Sequence, residues 1–354
     1  MVADPVAAIR IGPRLVGPGH PCFVIAEAGV NHNGSVEMAL QLVDAAADAG
    51  ADAVKFQTFR ADKTVTVDAP KAEYQLRATG AGETQFEMLR RLELSPGAHQ
   101  AIVSRCAERG LIFLSTPFDE ESADFLEGLG VPAFKVPSGE LTNVSFLRHL
   151  ARKGRPLIIS TGMATLEEVM VAVSAARADG CRALAILQCV SNYPAQPADT
   201  NLRAMATMAA VFGVPIGYSD HTLGPEVPLA AVALGASILE KHFTLDRTLP
   251  GPDHGASAEP GELAALVAGV RKVEAALGDG EKRPAASEAA TARAARRSLV
   301  AACPISAGTV LEPSMVAARR PGTGMAPERG PELLGRKSRA NIAQGTLLAP
   351  EMFD

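Results

Sequence analysis

Residues 21–57 read PCFVIAEAGVNHNGSVEMALQLVDAAADAGADAVKFQ. Cys22–Ala26 is an unbroken apolar run, the pattern of a strand buried on both faces of a parallel sheet. Within Ser35–Gly50, Val36, Leu40, Val43 and Ala47 are spaced to make one apolar helix face, and Gly50 can close the helix as a left-handed residue. A second apolar run, Ala53–Gln57, follows at once. The unit is strand, helix, strand, and it recurs. Further runs lie at Leu111–Ser115, Ala133–Val136, Leu157–Thr161, Ala183–Gln188, Val214–Ser219 and Ser237–Lys241, with helical segments such as Pro117–Gly130, Thr165–Gly180 and Gly224–Gly235 between them.

Eight β–α repeats over about 280 residues predict an α/β fold, a TIM (β/α)8 barrel of eight parallel strands and eight helices. The structural rival is a doubly wound open sheet, but no GxGxxG follows any of the runs. A small second unit is expected after the barrel. Residues 291–354 carry nine Lys/Arg against five Asp/Glu, a balance of +4, which leaves −9 on residues 1–290. Such asymmetry marks separate segments. We therefore read residues 1–283 as a catalytic barrel, 284–297 (Ala-rich and charged) as a helical linker, and 298–354 as a small, mostly β unit. Ser298–Ala302, Met315–Ala318 and Ser338–Ala340 are its short extended candidates.

The 354-residue chain is 47% hydrophobic and 21% charged, a globular composition that excludes disorder and collagen-like repeats. No apolar run reaches the roughly 18 residues of a membrane helix. Met1–Arg10 lacks the charged start, apolar stretch and small-residue cleavage site of a signal peptide. A net charge of −5 argues against general nucleic-acid binding. Cys22, Cys106, Cys181, Cys189 and Cys303 are scattered without CxxC spacing, which reads as reduced thiols in a cytoplasmic protein.

Barrel enzymes gather their chemistry where strands end, and every predicted strand here ends in polar residues. In chain order these are Glu27, Asn31, His32 and Asn33; Lys55 and Gln57; Ser115 and Thr116; Lys135, Ser138 and Glu140; Ser160, Thr161 and Gly162; Ser191, Asn192 and Tyr193; Ser219, Asp220 and His221; and Glu240, Lys241 and His242. Lys55 and Lys135 sit inside or just past apolar runs, so each must find an anion, lose its proton or leave the site. Either they pair with Glu27 or Glu240, or they hold a carboxylate or phosphate with hydroxyls from Thr116, Ser138 and Ser219. His221 and His242 end neighbouring strands, and two imidazoles with open positions suit Mn²⁺, Zn²⁺ or Fe²⁺. His32 reads equally as turn residue or ligand. On the loop Gly-Pro-Asp-His-Gly (251–255), Asp253 is preferred over His254 as the functional group.

Seven motifs in order carry a resemblance. They are IAEAGVNHNG (25–34), VKFQT (54–58), STPFD (115–119), KVPSGE (135–140), GYSDHT (217–222), LEKHF (239–243) and PGPD (250–253). With them the chain resembles the bacterial sialic acid synthases, which make nine-carbon keto-sugar acids, over about residues 20–354. RRPG (319–322) and LGR (334–336) look like the antifreeze-like (SAF) domain those enzymes carry.

The resemblance implies that phosphoenolpyruvate, an open-chain N-acylated hexose and water give a nonulosonic acid and phosphate, for surface glycan biosynthesis. By position it implies that His221 and His242 bind Mn²⁺. Phosphoenolpyruvate falls to Lys55, Thr116, Lys135, Ser138, Ser191 and Ser219. Gln57, Glu140, Tyr193, Asp253 and Arg320 are assigned to the sugar, and Glu27, Glu140 and Glu240, with the two histidines, to catalysis. It further implies a domain-swapped homodimer in which Arg320 reaches the sugar in the partner's barrel.

Where the N-acetylneuraminate branch has Asn after Cys-Thr, this chain has Cys189-Val190-Ser191, a different donor. The stretch Asp68–Gln75 looks more like legionaminate synthases, whose sugar is a 2,4-diacetamido-6-deoxy hexose, and the lean is toward legionaminate over N-acetylneuraminate. AsnHisAsnGly (31–34) and SerThrPro (115–117) fit the pseudaminate branch less well. Two rivals stand beside this reading. One is a different phosphoenolpyruvate aldol-type synthase making a 3-deoxy-keto acid; the other is a carbohydrate-binding protein without catalysis.

Overall fold

The computed structural model describes residues 6–354. The first part of Met1–Arg10, the segment read for a signal peptide, lies outside them. The chain forms two compact units, one ending at Gly278 and one spanning Asp279–Asp354.

The first unit opens with an antiparallel hairpin, β1 (Ile9–Ile11) and β2 (Arg14–Val16). Eight parallel strands follow: β3 (Phe23–Gly29), β4 (Ala53–Thr58), β5 (Ile112–Pro117), β6 (Phe134–Val136), β7 (Leu157–Ser160), β8 (Leu184–Cys189), β9 (Ile216–Asp220) and β10 (Ile238–His242). Ladder pairing runs in the order β5-β4-β3-β10-β9-β8-β7-β6. First and last strands of the chain series, β3 and β10, therefore pair, as closure of a barrel requires, and β5 lies against β6 at a seam without a ladder. Each predicted run coincides with a barrel strand. The hairpin is a finding the runs did not announce.

Helices form where the sequence supplies both a cap and a face. Val36–Asp48 begins at Ser35, whose hydroxyl accepts from Met38 N, and buries Ala39, Leu42, Val43 and Ala46. Leu166–Ala178 starts from a capping box made by Thr165 and Glu168. Helix-facing strand residues such as Val24, Val54, Phe134, Ile159, Ile186 and Leu239 pack into one large core with these helices.

Strand residues facing the barrel interior form a separate core. Phe23, Ile25, Ala53, Leu114, Ala133, Ile158, Ala185, Leu187 and Ile238 cluster there with Ile9, Ile11 and Val16 of the hairpin. The turn of that hairpin lies near Ile112 and Pro132, where strands start, so the hairpin closes the N-terminal end of the barrel. Successive side chains on a strand alternate faces. Two residues beyond the apolar layer, the same inward face becomes polar on every strand: Glu27, Lys55, Thr116, Lys135, Ser160, Cys189, Ser219 and Glu240. That step positions the site.

Three extra helices, Ala61–Thr64, Glu73–Thr79 and Gln85–Leu92, elaborate the connection after β4.

In the second unit, β11 (Ser298–Ala301) pairs antiparallel with β12 (Val316–Arg319). Isolated bridges, including Ser338 to Phe353, complete it around Leu299, Ile305, Leu311, Leu348 and Phe353. The stretch read as a linker contains the helix Ala289–Ala295, and it falls within this unit because the division between the two lies at Gly278.

Candidate active site

A cavity of about 440 Å³ opens at the C-terminal end of the barrel strands, within the roughly 300–1,000 Å³ usual for small-molecule sites. Glu27, Lys55, Gln57, Thr116, Lys135, Ser138, Ser191, Tyr193, Ser219, His221, Glu240, His242 and Asp253 all line it. Residues up to 226 positions apart in the sequence are thus brought together by strand register.

The floor is a chain of buried charge. Lys55 Nζ lies 2.8 Å from Glu27 Oε2 and 3.8 Å from Glu240 Oε2, and it donates to Thr116 Oγ1 at 2.7 Å. Lys135 Nζ donates to Ser160 Oγ at 2.7 Å and stands 3.6 Å from Glu240 Oε1. Ser219 Oγ donates to the same carboxylate oxygen at 2.9 Å. Both readings of the lysines therefore meet here: they face carboxylates and an open cavity.

The two carboxylates titrate apart. Burial pushes Glu27 up to about 7 even though Lys55 pulls it down. Glu240 is equally buried, but Lys135 and Lys55 hold it below the ordinary carboxylate range. Such divergence separates a proton carrier from a fixed charge. Burial also lowers the Lys135 ammonium, against the pull of Glu240. At Glu27 the ladder shifts register before Gly29, whose φ is +53°. A Cβ at Gly29 would stand 3.3 Å from Glu27 Oε1 and 3.5 Å from Gln57 Nε2. The bulge gives the carboxylate its room.

On one flank, Ser138 Oγ accepts from Gly162 N at 2.9 Å. A Cβ at Gly162 would run into Ser191 Oγ and stand 2.9 Å from Ser138 Oγ. Three polar groups from three loops crowd one spot that only glycine leaves open.

His221 and His242 face one another with ring centroids 5.3 Å apart. His221 Nδ1 is engaged with Val190 O at 2.6 Å, which leaves its Nε2 for the cavity. His242 Nδ1 is buried without a hydrogen-bond partner, 3.9 Å from Asp253 Oδ2. Burial and the neighbouring His221 keep His242 neutral, and burial raises Asp253 to about 6. Among the described residues no group of three or more His, Cys, Asp and Glu gathers for a metal ion. Two imidazoles facing one another, one with a buried Nδ1 that has no partner, would suit a divalent ion.

Behind them, Lys241 pairs with Asp220 at 2.6 Å on the outward face of β9 and β10. Asp220 also accepts from Thr222 N and Oγ1, so the pair ties the two histidine-bearing strand ends together. The Tyr193 ring packs tilted against His221 and Tyr74, with centroids 4.1 Å and 4.7 Å away.

One residue assigned within the barrel, Glu140, stands elsewhere. Glu140 does not line the cavity: the 3-10 turn Ser138–Glu140 carries it away, and it accepts from Asn143 Nδ2 at 2.8 Å. Arg320 is exposed in the second unit, where its Nε donates to Ala295 O at 3.1 Å. His32 is a turn residue: it is buried, its Nδ1 accepts from Gly34 N, and it lies outside the cavity lining. His254 is likewise spent on Thr244 and Asn33. Conversely, Tyr74, Ser160 and Cys189 line the cavity without having been assigned a role. Tyr74 lies in the stretch singled out for its resemblance, and Ser160 and Cys189 are marked by inward parity on their strands.

Comparison with known proteins gives the family of the chain. The NeuB family model matches residues 42–282, and the SAF domain model matches residues 296–354. An N,N'-diacetyllegionaminic acid synthase of Legionella pneumophila is 47% identical over 97% of each chain. One from Campylobacter jejuni is 42% identical over 92% of this chain and 98% of its own. Among solved structures, an N-acetylneuraminic acid synthetase of Leptospira borgpetersenii, crystallised with citrate, superposes with a TM-score of 0.71. That structure is 36% identical, covering 81% of this chain and 95% of that one.

Proposed function

The chain belongs to the NeuB family and ends in a SAF domain, and we propose from this that it is a transferase joining phosphoenolpyruvate to an open-chain N-acylated hexose. Water is consumed, phosphate leaves, and a nonulosonic acid for surface glycans is formed. The observation that carries the reading is the convergence of two buried ammonium groups, a row of hydroxyls and two imidazoles on one cavity.

Lys55 and Lys135 bind the carboxylate and phosphate of phosphoenolpyruvate, with Thr116, Ser138, Ser191 and Ser219 donating hydrogen bonds. The lysines exchange part of their contact with Glu27 and Glu240 for the ligand. Gln57, Tyr193 and Asp253 line the place of the sugar. The electron pair of the enol double bond forms the new carbon–carbon bond at the aldehyde carbon, while the carbonyl π pair moves onto the aldehyde oxygen, which takes up a proton to become a hydroxyl. A cation remains beside the phosphate ester, and Glu240, held ionised, offsets it. Water adds there as Glu27 takes its proton. The tetrahedral intermediate then expels phosphate by carbon–oxygen cleavage. A divalent ion held by His221 and His242, manganese on this reading, would supply Lewis-acid polarisation of the aldehyde oxygen.

The sugar of choice is 2,4-diacetamido-2,4,6-trideoxymannose, giving N,N'-diacetyllegionaminate. The names of two bacterial relatives and the Asp68–Gln75 stretch support this choice. We extend the reading to a homodimer in which Arg320 of the partner subunit meets the sugar; the +4 and −9 segments favour such docking. No helix among the described residues is long and apolar enough to cross a membrane. All five cysteines are free thiols, in keeping with a cytoplasmic site of action.

The test is phosphate release from phosphoenolpyruvate with Mn²⁺ and either this sugar or N-acetylmannosamine. Faster release with the diacetamido sugar is expected. Equal rates remove the sugar preference, and no release with either overturns the synthase reading.

A further inference from the structure

The cavity has two chemically different sides. Its floor, made by strand ends, holds charges and hydroxyls. One wall, made by the connection after β4 and the end of β5, carries an apolar patch beside the polar Thr64, Tyr74, Gln75 and Gln85. Val30, Phe59, Met88 and Leu92 form a small hydrophobic cluster of their own, on which Leu89 and Phe118 pack. Phe59 and Phe118 meet edge to face at 6.0 Å. Leu89 and Phe118 are half-buried, and with Val65 they present this cluster to the cavity. The helix Gln85–Leu92 that carries Leu89 is fixed at its start by a capping box of Thr84 and Glu87. This wall is therefore built before any ligand arrives.

The polar floor dictates what reaches it. Carbon–carbon bond formation fixes the aldehyde end of the sugar beside phosphoenolpyruvate, among the lysines and histidines. An extended hexose must then point its other end away from the floor, toward the walls. A hydroxymethyl end set against valine, leucine and phenylalanine would lose its hydrogen bonds to water and gain none. A methyl end would lose nothing. We propose that Val65, Leu89 and Phe118 form the subsite for the methyl end of a 6-deoxy N-acylated hexose and set discrimination at that carbon. The assignment rests on the synthase reading and names the residues that select its sugar.

The test uses two sugars identical except at C6: 2,4-diacetamido-2,4,6-trideoxymannose and its 6-hydroxy counterpart. Phosphate release is followed with full-length enzyme and Mn²⁺. The wild type is expected to favour the 6-deoxy sugar in kcat/KM by roughly tenfold to a hundredfold, the range an apolar pocket gives against an added hydroxyl. Val65→Thr and Leu89→Gln, which add polar atoms at nearly constant volume, should each shrink that ratio, with KM carrying most of the change. A wild-type ratio near one overturns the proposal. So does a ratio unmoved by both variants, including an equal loss on both sugars, which would put another group of the ligand on this wall. Release of phosphate from neither sugar overturns the synthase reading and this assignment with it; turnover of both without discrimination overturns this assignment alone.

Discussion

Ile25, Leu114, Ile158 and Leu187 point into the barrel beneath the hairpin of β1 and β2, where they are wholly buried. Glu27, Thr116, Ser160 and Cys189, each two residues further along the same strands, also point inward and line the cavity. Backbone geometry is the same for both layers. What differs is side-chain chemistry and the covering: an apolar hairpin at one end, loops and a cavity at the other. The lower layer gains from burial about 25 cal/mol per Å² of apolar surface. The upper layer forgoes that gain and spends ion pairs to keep charge inside. Stability and chemistry are thus separated by about 7 Å along each strand, two steps of strand rise.

The largest test of this contrast is Lys135→Met, which puts an apolar side chain into the polar layer. We expect kcat/KM to fall by roughly 10²–10³, the usual loss of one preorganised electrostatic partner, in a protein still folded by circular dichroism. Activity within tenfold of wild type would break the contrast. Ile158→Ala, on β7 two residues before Ser160 and in register with Lys135, should cost about 2–5 kcal/mol of stability, as buried aliphatic truncations do. Its folded fraction should keep wild-type kcat/KM, measured below the lowered Tm.

Within the upper layer, the raised carboxyl of Glu27 sharpens the picture. On the proposed role as base it must be ionised, so kcat/KM should fall about tenfold per pH unit below its apparent pKa and level off above it. Burial places that bend at about pH 7. Glu27→Gln should leave a low, flat profile through the same range; a bend that persists there would assign it to another group.

The smallest effect asks whether the upper layer is complete in one chain. On the swapped-dimer reading, mixing His221→Ala with Arg320→Ala subunits should restore about a quarter of wild-type activity, since half the dimers are mixed and one of their two sites is intact. No recovery after subunit exchange, with mixed dimers present, would count against the swap.

Much of this was legible beforehand because it follows from periodicity and position. Apolar runs bounded by polar residues located all eight strands, and strand register then carried Lys55, Lys135, His221 and His242 to one cavity. What was not legible depends on the path of the chain after a strand ends. Glu140 sits only two residues beyond Ser138, yet a single 3-10 turn separates their directions. The hairpin Ile9–Val16 is too short and too interrupted by Gly12 and Pro13 to stand out as two strands. Tyr74 belongs to a helix whose approach to Tyr193 is a long-range packing result that no local pattern encodes.

Gly162 carries a consequence for the cavity. A Cβ there would meet the hydroxyls of Ser191 and Ser138, so Gly162→Ala would displace both and break the bond from Gly162 N to Ser138 Oγ. A single methyl group at this position would thus act on the cavity wall between β6, β7 and β8 and leave the strands themselves untouched.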